Sequence, residues 1–298
     1  MQKRSGTLID RLCVLARMTL VPLLARELLQ RRRVTILLYH RPSPETLREH
    51  LRVLGKTYNL VSLPAVATAL EQDAVRCLPP KPLVITFDDG HRSNAALIGV
   101  FRELPAPPTV FLCSGLVDTA LPFWFDVVAD PEALKRLADV ERLRVLDGHV
   151  RPRPGAERAA LAREEIEALK PYVHFQSHTV SHPILPRCGD AKARRELTDS
   201  RAQLEQRYGL HVDALAYPNG DYSQRELRLA RAAGYRCAVT VDFGFNGPAT
   251  DPLRLRRIAI DDDEDGAGVV ALKACGVWGA LRAVRSALTR RGRARGLG

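Results

Sequence analysis

A chain of 298 residues, 46% of them hydrophobic, can bury about three quarters of its unfolded surface in one core without a disulfide or metal staple. Its formal net charge of +11 points to a polyanion binder until the charge is located: residues 1–33 hold eight Lys or Arg against two acids (+6), residues 268–298 hold seven against none (+7), and the 234 residues between them sum to −2. The body of the chain is therefore not basic, and without an aromatic-interleaved platform for bases it is not expected to bind nucleic acid.

From the amino terminus, residues 1–33 form a basic amphipathic segment, as in Leu8-Ile9-Asp10-Arg11-Leu12-Cys13-Val14-Leu15. Such a pattern either lies on an anionic membrane surface or packs as a solvated helix on the body. A signal peptide fits poorly, because Arg17, Arg26 and Glu27 interrupt the apolar stretch and no small-residue cleavage site follows. No run reaches the roughly 18 apolar residues a spanning helix needs. The expected location is the cytoplasm, peripheral at the inner membrane face, with a secreted or cell-envelope protein as the alternative.

Apolar runs of strand length follow near 34–39, 83–87, 109–113, 172–176, 214–217, 236–241 and 255–260, separated by amphipathic stretches near 44–54, 63–74, 93–104, 190–208 and 223–233. That alternation predicts parallel strands with crossover helices, and seven strands suit a distorted (β/α)7-type barrel over residues 34–266. Residues 116–170 read as an irregular insertion carrying Phe123-Trp124-Phe125, and 267–298 as a basic amphipathic tail. The six cysteines show no metal-ligand spacing and several lie in apolar runs, so they read as free, mostly buried thiols that favour a reducing compartment.

Two short segments carry the chemistry. Thr86-Phe87-Asp88-Asp89-Gly90 follows Leu83-Val84-Ile85 and sets two adjacent carboxylates at a strand end. Inside a regular strand they would face opposite ways, one of them into apolar core. At the carboxyl edge of an α/β sheet both can converge on one pocket, with Gly90 permitting the sharp exit. Further on, His178 and His182 stand four apart and Pro183 stops any continuing strand. One carboxylate and two imidazoles are a facial set for catalytic zinc or a similar divalent ion, with positions left open for water and substrate.

In this order the segments resemble the first two motifs of the polysaccharide deacetylases, the carbohydrate esterase family 4 enzymes with NodB homology, and the resemblance runs from about Ile36 to about Ile260. Ala216-Tyr217-Pro218-Asn219-Gly220 resembles the variant third motif of one bacterial branch. The resemblance implies that Asp88 is the general base, that Asp89, His178 and His182 bind one divalent metal ion, most often zinc, and that the Tyr217 amide helps hold an oxyanion. The implied reaction removes N-acetyl groups from a sugar in a polysaccharide, oligosaccharide or glycolipid. Alternatives are an O-acetyl esterase, a linear-amide hydrolase or an impaired family member that only binds glycan.

The chain departs from the family pattern in two places. No histidine follows His211, so the late general-acid histidine is missing, and the third motif lacks an arginine that orients the base. Leu253-Arg254-Leu255-Arg256-Arg257-Ile258 offers arginines that either orient Asp88 or line a strand end. Asp88 itself or His40, at the end of the run 34–39, is left to protonate the amine. Trp124 either stacks on a sugar ring or serves as a core or flap aromatic.

Overall fold

The computed structural model describes residues 24, 27, 30–151 and 157–278. Most of the basic amino-terminal segment, and the tail beyond residue 278, lie outside the described residues.

Eight strands are present: β1 (Thr35–Tyr39), β2 (Asn59–Leu60), β3 (Pro82–Phe87), β4 (Thr109–Leu112), β5 (His174–Ser177), β6 (Ala214–Ala216), β7 (Cys237–Phe243) and β8 (Leu255–Ala259). Seven of them close a parallel barrel, since β1 pairs on one edge with β3 and on the other with β8, and the rest follow in chain order. The expected barrel is therefore found. The two-residue β2 pairs only with the start of β3 and is too short to show a period in the sequence. β1 and β3 are buried at every position, as befits parallel strands covered on both faces.

The helices are α1 (Pro44–Leu54), α2 (Leu63–Glu71), α3 (Ile98–Phe101), α4 (Pro131–Lys135), α5 (Asp139–Leu146), α6 (Arg163–Leu169), α7 (Asp190–Tyr208), α8 (Gln224–Ala232) and α9 (Ala267–Ala274). Their ends follow local rules. Ser43 caps α1 by accepting from the Thr46 amide, with Pro44 in the first turn. Gly209 ends α7 at a left-handed φ of 59°, and Ser223 with Glu226 forms a capping box on α8. The stretch near 93–104 is not one helix: a 3₁₀ segment over Arg92–Leu97 leads into the four-residue α3. Leu97, Val100 and Phe101 still reach the core, while the Asn94 side chain donates to the His40 carbonyl at 2.9 Å and ties this turn to the end of β1.

Alternate strand residues enter different apolar layers. Leu37, Ile85 and Leu112 pack with Leu47, Ile166 and Leu197 from the surrounding helices. Ile36, Val84, Phe111, Val239 and Leu255 fill the barrel interior, which Leu63 and Val66 of α2 close at one end. This parity places the functional residues: Thr86 and Asp88 follow Val84, and Arg257 follows Leu255, so all three belong to the inward set.

The start of the segment assigned to the basic tail is part of this body. In α9, Val270, Leu272 and Ala274 are buried, and Lys273 pairs with Asp261 and Asp265. Of the five cysteines among the described residues, Cys77 is exposed and Cys113, Cys188, Cys237 and Cys275 are buried.

A candidate metal centre at the carboxyl edge of the barrel

Asp88 extends β3 by one step, its amide donating to the Tyr39 carbonyl of β1 at 3.0 Å. The chain then turns through two successive left-handed residues, Asp89 at φ 70° and Gly90 at φ 67°. That turn brings the Asp89 carboxylate back to the side Asp88 already faces, and both line a cleft of about 580 Å³. Gly90 also needs its missing side chain, because a Cβ there would lie 2.4 Å from Leu112 Cδ2.

The histidines come from the loop after β5. The His178 amide donates to the Leu112 carbonyl at 2.8 Å, and its Nδ1 donates to the Ala216 carbonyl at 2.8 Å. A carbonyl accepts only, so Nδ1 carries a proton, and Nε2, the atom free to serve as a ligand once deprotonated, faces Asp89 Oδ1 3.4 Å away. Thr179 and His182 both take left-handed φ values, 67° and 53°. The loop between them is no helical turn; it is clamped by Glu196 of α7, which accepts from the amides of Val180 and Ser181 at 2.9 Å each and from the Ser181 hydroxyl at 2.6 Å. Trp124 Nε1 donates to the His182 carbonyl at 2.8 Å, and the Phe125 ring meets the His182 ring edge-on at 4.9 Å. His182 Nε2 thereby stands 3.5 Å from Asp89 Oδ1.

Asp89, His178 and His182 are all buried and bring their ligand atoms within 4.8 Å of one another. Burial, and then the charge of His178, push His182 down to about 3, which keeps it a neutral donor. Burial alone would raise the Asp89 carboxyl, but the two histidines hold it well below the usual carboxylate range. Burial would likewise lower His178, yet Asp88 and Asp89 raise it. His182 Nδ1 is buried without a hydrogen-bond partner. A neutral imidazole, a second imidazole with its outer nitrogen fixed and an ionised carboxylate converging on one point fit a divalent transition-metal ion.

Asp88 is held apart from this trio. Its two oxygens accept from Arg257 Nη1 and Nη2, both at 2.7 Å. Arg257 is itself fixed, Nε donating to the Thr240 carbonyl at 2.8 Å and Nη1 to Thr86 Oγ1 at 3.2 Å. Burial would raise the Asp88 carboxyl, but the Arg257 and His178 charges hold it below its ordinary value. Of the three arginines the sequence offered, Arg257 enters the barrel, whereas Arg254 and Arg256 are exposed on its outside.

The remaining expectations divide. His40 lines the cleft, its amide donating to Asp262 Oδ1 at 3.0 Å. Tyr217 does not serve as expected: its amide donates to the Val239 carbonyl at 3.2 Å in the β6–β7 ladder, its hydroxyl donates to the Leu253 carbonyl, and its ring is fully buried. Two positions later Asn219, at φ 57°, lines the cleft, and its amide has no acceptor among the described residues. Trp124 is buried and does not line the cleft; Phe125 does. Phe125, Asp126, Lys135 and Asp262 were not foreseen as cleft residues, since nothing in their local sequence separates them from ordinary loop positions.

Residues 75–238 match the family model described as polysaccharide deacetylase. An uncharacterised protein of Streptomyces coelicolor is 27% identical over 180 residues, covering 57% of this chain and 56% of the relative, so the chain spans about half the length of that curated relative. Among solved structures, the Streptococcus pyogenes deacetylase PplD in complex with acetate superimposes with a TM-score of 0.61 at 21% identity, over 81% of this chain and 98% of that one. IcaB from Ammonifex degensii does so with a TM-score of 0.61 at 19% identity, over 82% and 97%. At these identities the structural likeness is one of fold.

Proposed function

The chain belongs to the polysaccharide deacetylase family, and on that premise we propose that it is a metal-dependent hydrolase removing N-acetyl groups from a sugar in a polysaccharide, oligosaccharide or glycolipid. The observation that carries this reading is the division of labour within one cleft: Asp89, His178 and His182 converge as a donor set, while Asp88 is reserved by Arg257.

Asp89, His178 and His182 hold the ion. When bound, a divalent ion, zinc by preference for this donor set, supplies the Lewis acidity that polarises the acyl carbonyl and acidifies the attacking water. Asp88 removes the proton from that water as its oxygen bonds to the acyl carbon. Arg257 keeps Asp88 ionised and aims its free lone pairs into the cleft. The charge developing on the acyl oxygen is met by the Asn219 amide, which replaces Tyr217 in that role. Asp88 then returns the proton to the sugar nitrogen as the C–N bond breaks, so one water and one amide become acetate and a free amine. His40, at the same edge, is the alternative donor of that proton.

The test is acetate release from N-acetylglucosamine oligomers and lipid-linked N-acetyl sugars, with and without added zinc, beside the Asp88→Asn variant. Zinc-dependent release that vanishes in the variant is the expected result. Turnover of O-acetyl esters alone would move the reading to an esterase. No release from any substrate by metal-loaded protein would leave a glycan-binding member of the family.

A further inference from the structure

Outside the cleft, a groove of about 770 Å³ lies on the outer side of the barrel. Arg31, Arg32, Arg33, Arg76, Arg254 and Arg256 line it. The first three stand just before β1, Arg76 follows α2, and the last two flank the start of β8. Residues far apart in sequence are thus gathered into one cationic surface. None of the six makes an ion pair within 4.0 Å among the described residues, and Arg254 donates to the Tyr222 hydroxyl at 3.3 Å. Of the acids beside them, Glu27 pairs with Lys81, while Asp242 and Asp251 accept from neutral donors, the Tyr222 hydroxyl at 2.7 Å and the Leu253 amide at 3.0 Å, and offset part of the charge.

Six arginines face three acids in this lining, so the groove keeps an excess of positive charge whose members repel one another. The sequence continues the pattern at both ends. Residues 1–30 lead directly into Arg31. At the other end, Gln30 Nε2 donates to the Ala274 carbonyl at 2.9 Å, and Gly276 abuts the ring of Phe245, which lines the groove. Residues 279 to 298, next in sequence, carry six arginines and no acid. Two apolar side chains, each 50% exposed, neighbour this lining: Leu24, three residues before Glu27, and Phe243, whose ring stands 6.5 Å from that of Phe245.

We propose that this arginine groove docks the protein on an anionic lipid bilayer, its guanidinium groups engaging phospholipid phosphates while Leu24 and Phe243 enter the headgroup boundary. Arginine suits phosphate because its planar fork donates to two oxygens at once. A bilayer is favoured over a soluble polyanion because only the bilayer gives the exposed leucine and phenylalanine somewhere apolar to go. The groove also stands directly behind the catalytic cleft: Val241 lines the cleft and Asp242 the groove, consecutive residues on opposite faces of β7. With the groove on the bilayer, the cleft opens on the opposite face of β7 and stays accessible from solution. The docking itself does not depend on what the cleft hydrolyses.

The experiment is co-sedimentation of the full chain with vesicles of phosphatidylcholine alone and of phosphatidylcholine with phosphatidylglycerol, at low and high salt. Partition onto the anionic vesicles alone, weakening as salt rises, is expected. At about fivefold per arginine, the combined variant Arg32→Gln, Arg76→Gln, Arg256→Gln loses roughly a hundredfold in partition. It should keep its melting temperature and its acetate release from soluble oligomers, since none of the three touches the cleft. Unchanged partition in that variant, salt-independent partition of the wild type, or equal binding to both vesicle types would overturn the proposal. So would capture of the wild type by a nucleic-acid polymer without any vesicle binding.

Discussion

Arg257 and Asp88, 169 positions apart in sequence, meet inside the barrel through two hydrogen bonds of 2.7 Å, one from each terminal guanidinium nitrogen to each carboxylate oxygen. The pair is fully enclosed and its partners are fixed in turn by Thr86 and Thr240. In a family whose third motif commonly supplies this arginine, β8 supplies it here, reaching the same carboxylate from the opposite edge of β1.

Removing Arg257 should therefore damage folding and turnover together. Arg257→Ala leaves a buried carboxylate unpaired, which costs about 3–5 kcal/mol. Arg257→Lys keeps the charge but replaces the fork by a single point, so it should retain more stability and still lose roughly a hundredfold in kcat. Urea unfolding and acetate-release kinetics on both variants test this. Equal kcat in Arg257→Lys and wild type would remove Arg257 from the catalytic arrangement.

Metal retention separates the two carboxylates. Asp88→Asn should keep a full equivalent of zinc and lose hydrolysis, because Asp88 lies 4.0 Å from His178 Nε2 and is held by Arg257. His178→Ala and His182→Ala should each lose both. The readout is metal content after dialysis, by elemental analysis. Comparable zinc loss in Asp88→Asn and His178→Ala would break the division of roles.

Acid should loosen the clamp between the loop after β8 and the start of α1. Asp263 Oδ1 accepts from the Ser43 amide and hydroxyl, both at 2.9 Å, and hydrogen bonds from Thr46 and Ser43 hold its carboxyl below the usual range. A carboxyl depressed in the folded state contributes stability above its unfolded value, about 3.9, and loses it as pH falls through the folded value. The deficit of Asp263→Ala in urea unfolding should be fully developed at pH 7 and close once the pH has fallen through the depressed folded value. It should be a fraction of a kcal/mol, since the pair is solvent-screened. A deficit that does not change between those limits would assign the effect to packing.

Much of the fold and the trio was legible because both are written in short segments. Continuous apolar runs marked the seven barrel strands, and Asp89, His178 and His182 lie in two motifs at strand ends. What escaped the sequence depends on distant contacts. Arg257 is one of three arginines in six residues, and only inward parity after Leu255 selects it. Tyr217 was misread because motif position does not reveal that its amide belongs to the β6–β7 ladder, whereas Asn219 gains its place from a left-handed turn. The 3₁₀ segment at Arg92–Leu97 is tied through Asn94 to the His40 carbonyl, a distant contact that no local propensity encodes.

Trp124 acts at a distance from the chemistry, through His182. Its indole donates to the His182 carbonyl, its ring packs with Leu146 and Ile184, and Arg142 lies over it at 5.4 Å. His182 needs such a hold, because a left-handed φ in a non-glycine residue costs about 1–2 kcal/mol and would relax without it. Trp124→Phe keeps most of the packing and removes the donor. The expected stability loss is about 1 kcal/mol, against a fall in zinc affinity of about 10- to 100-fold. Chelator competition beside urea unfolding separates the two. A variant that loses stability yet holds zinc as tightly as the wild type would make Trp124 a packing residue only, and would place the control of His182 in the Glu196 clamp and the Phe125 ring.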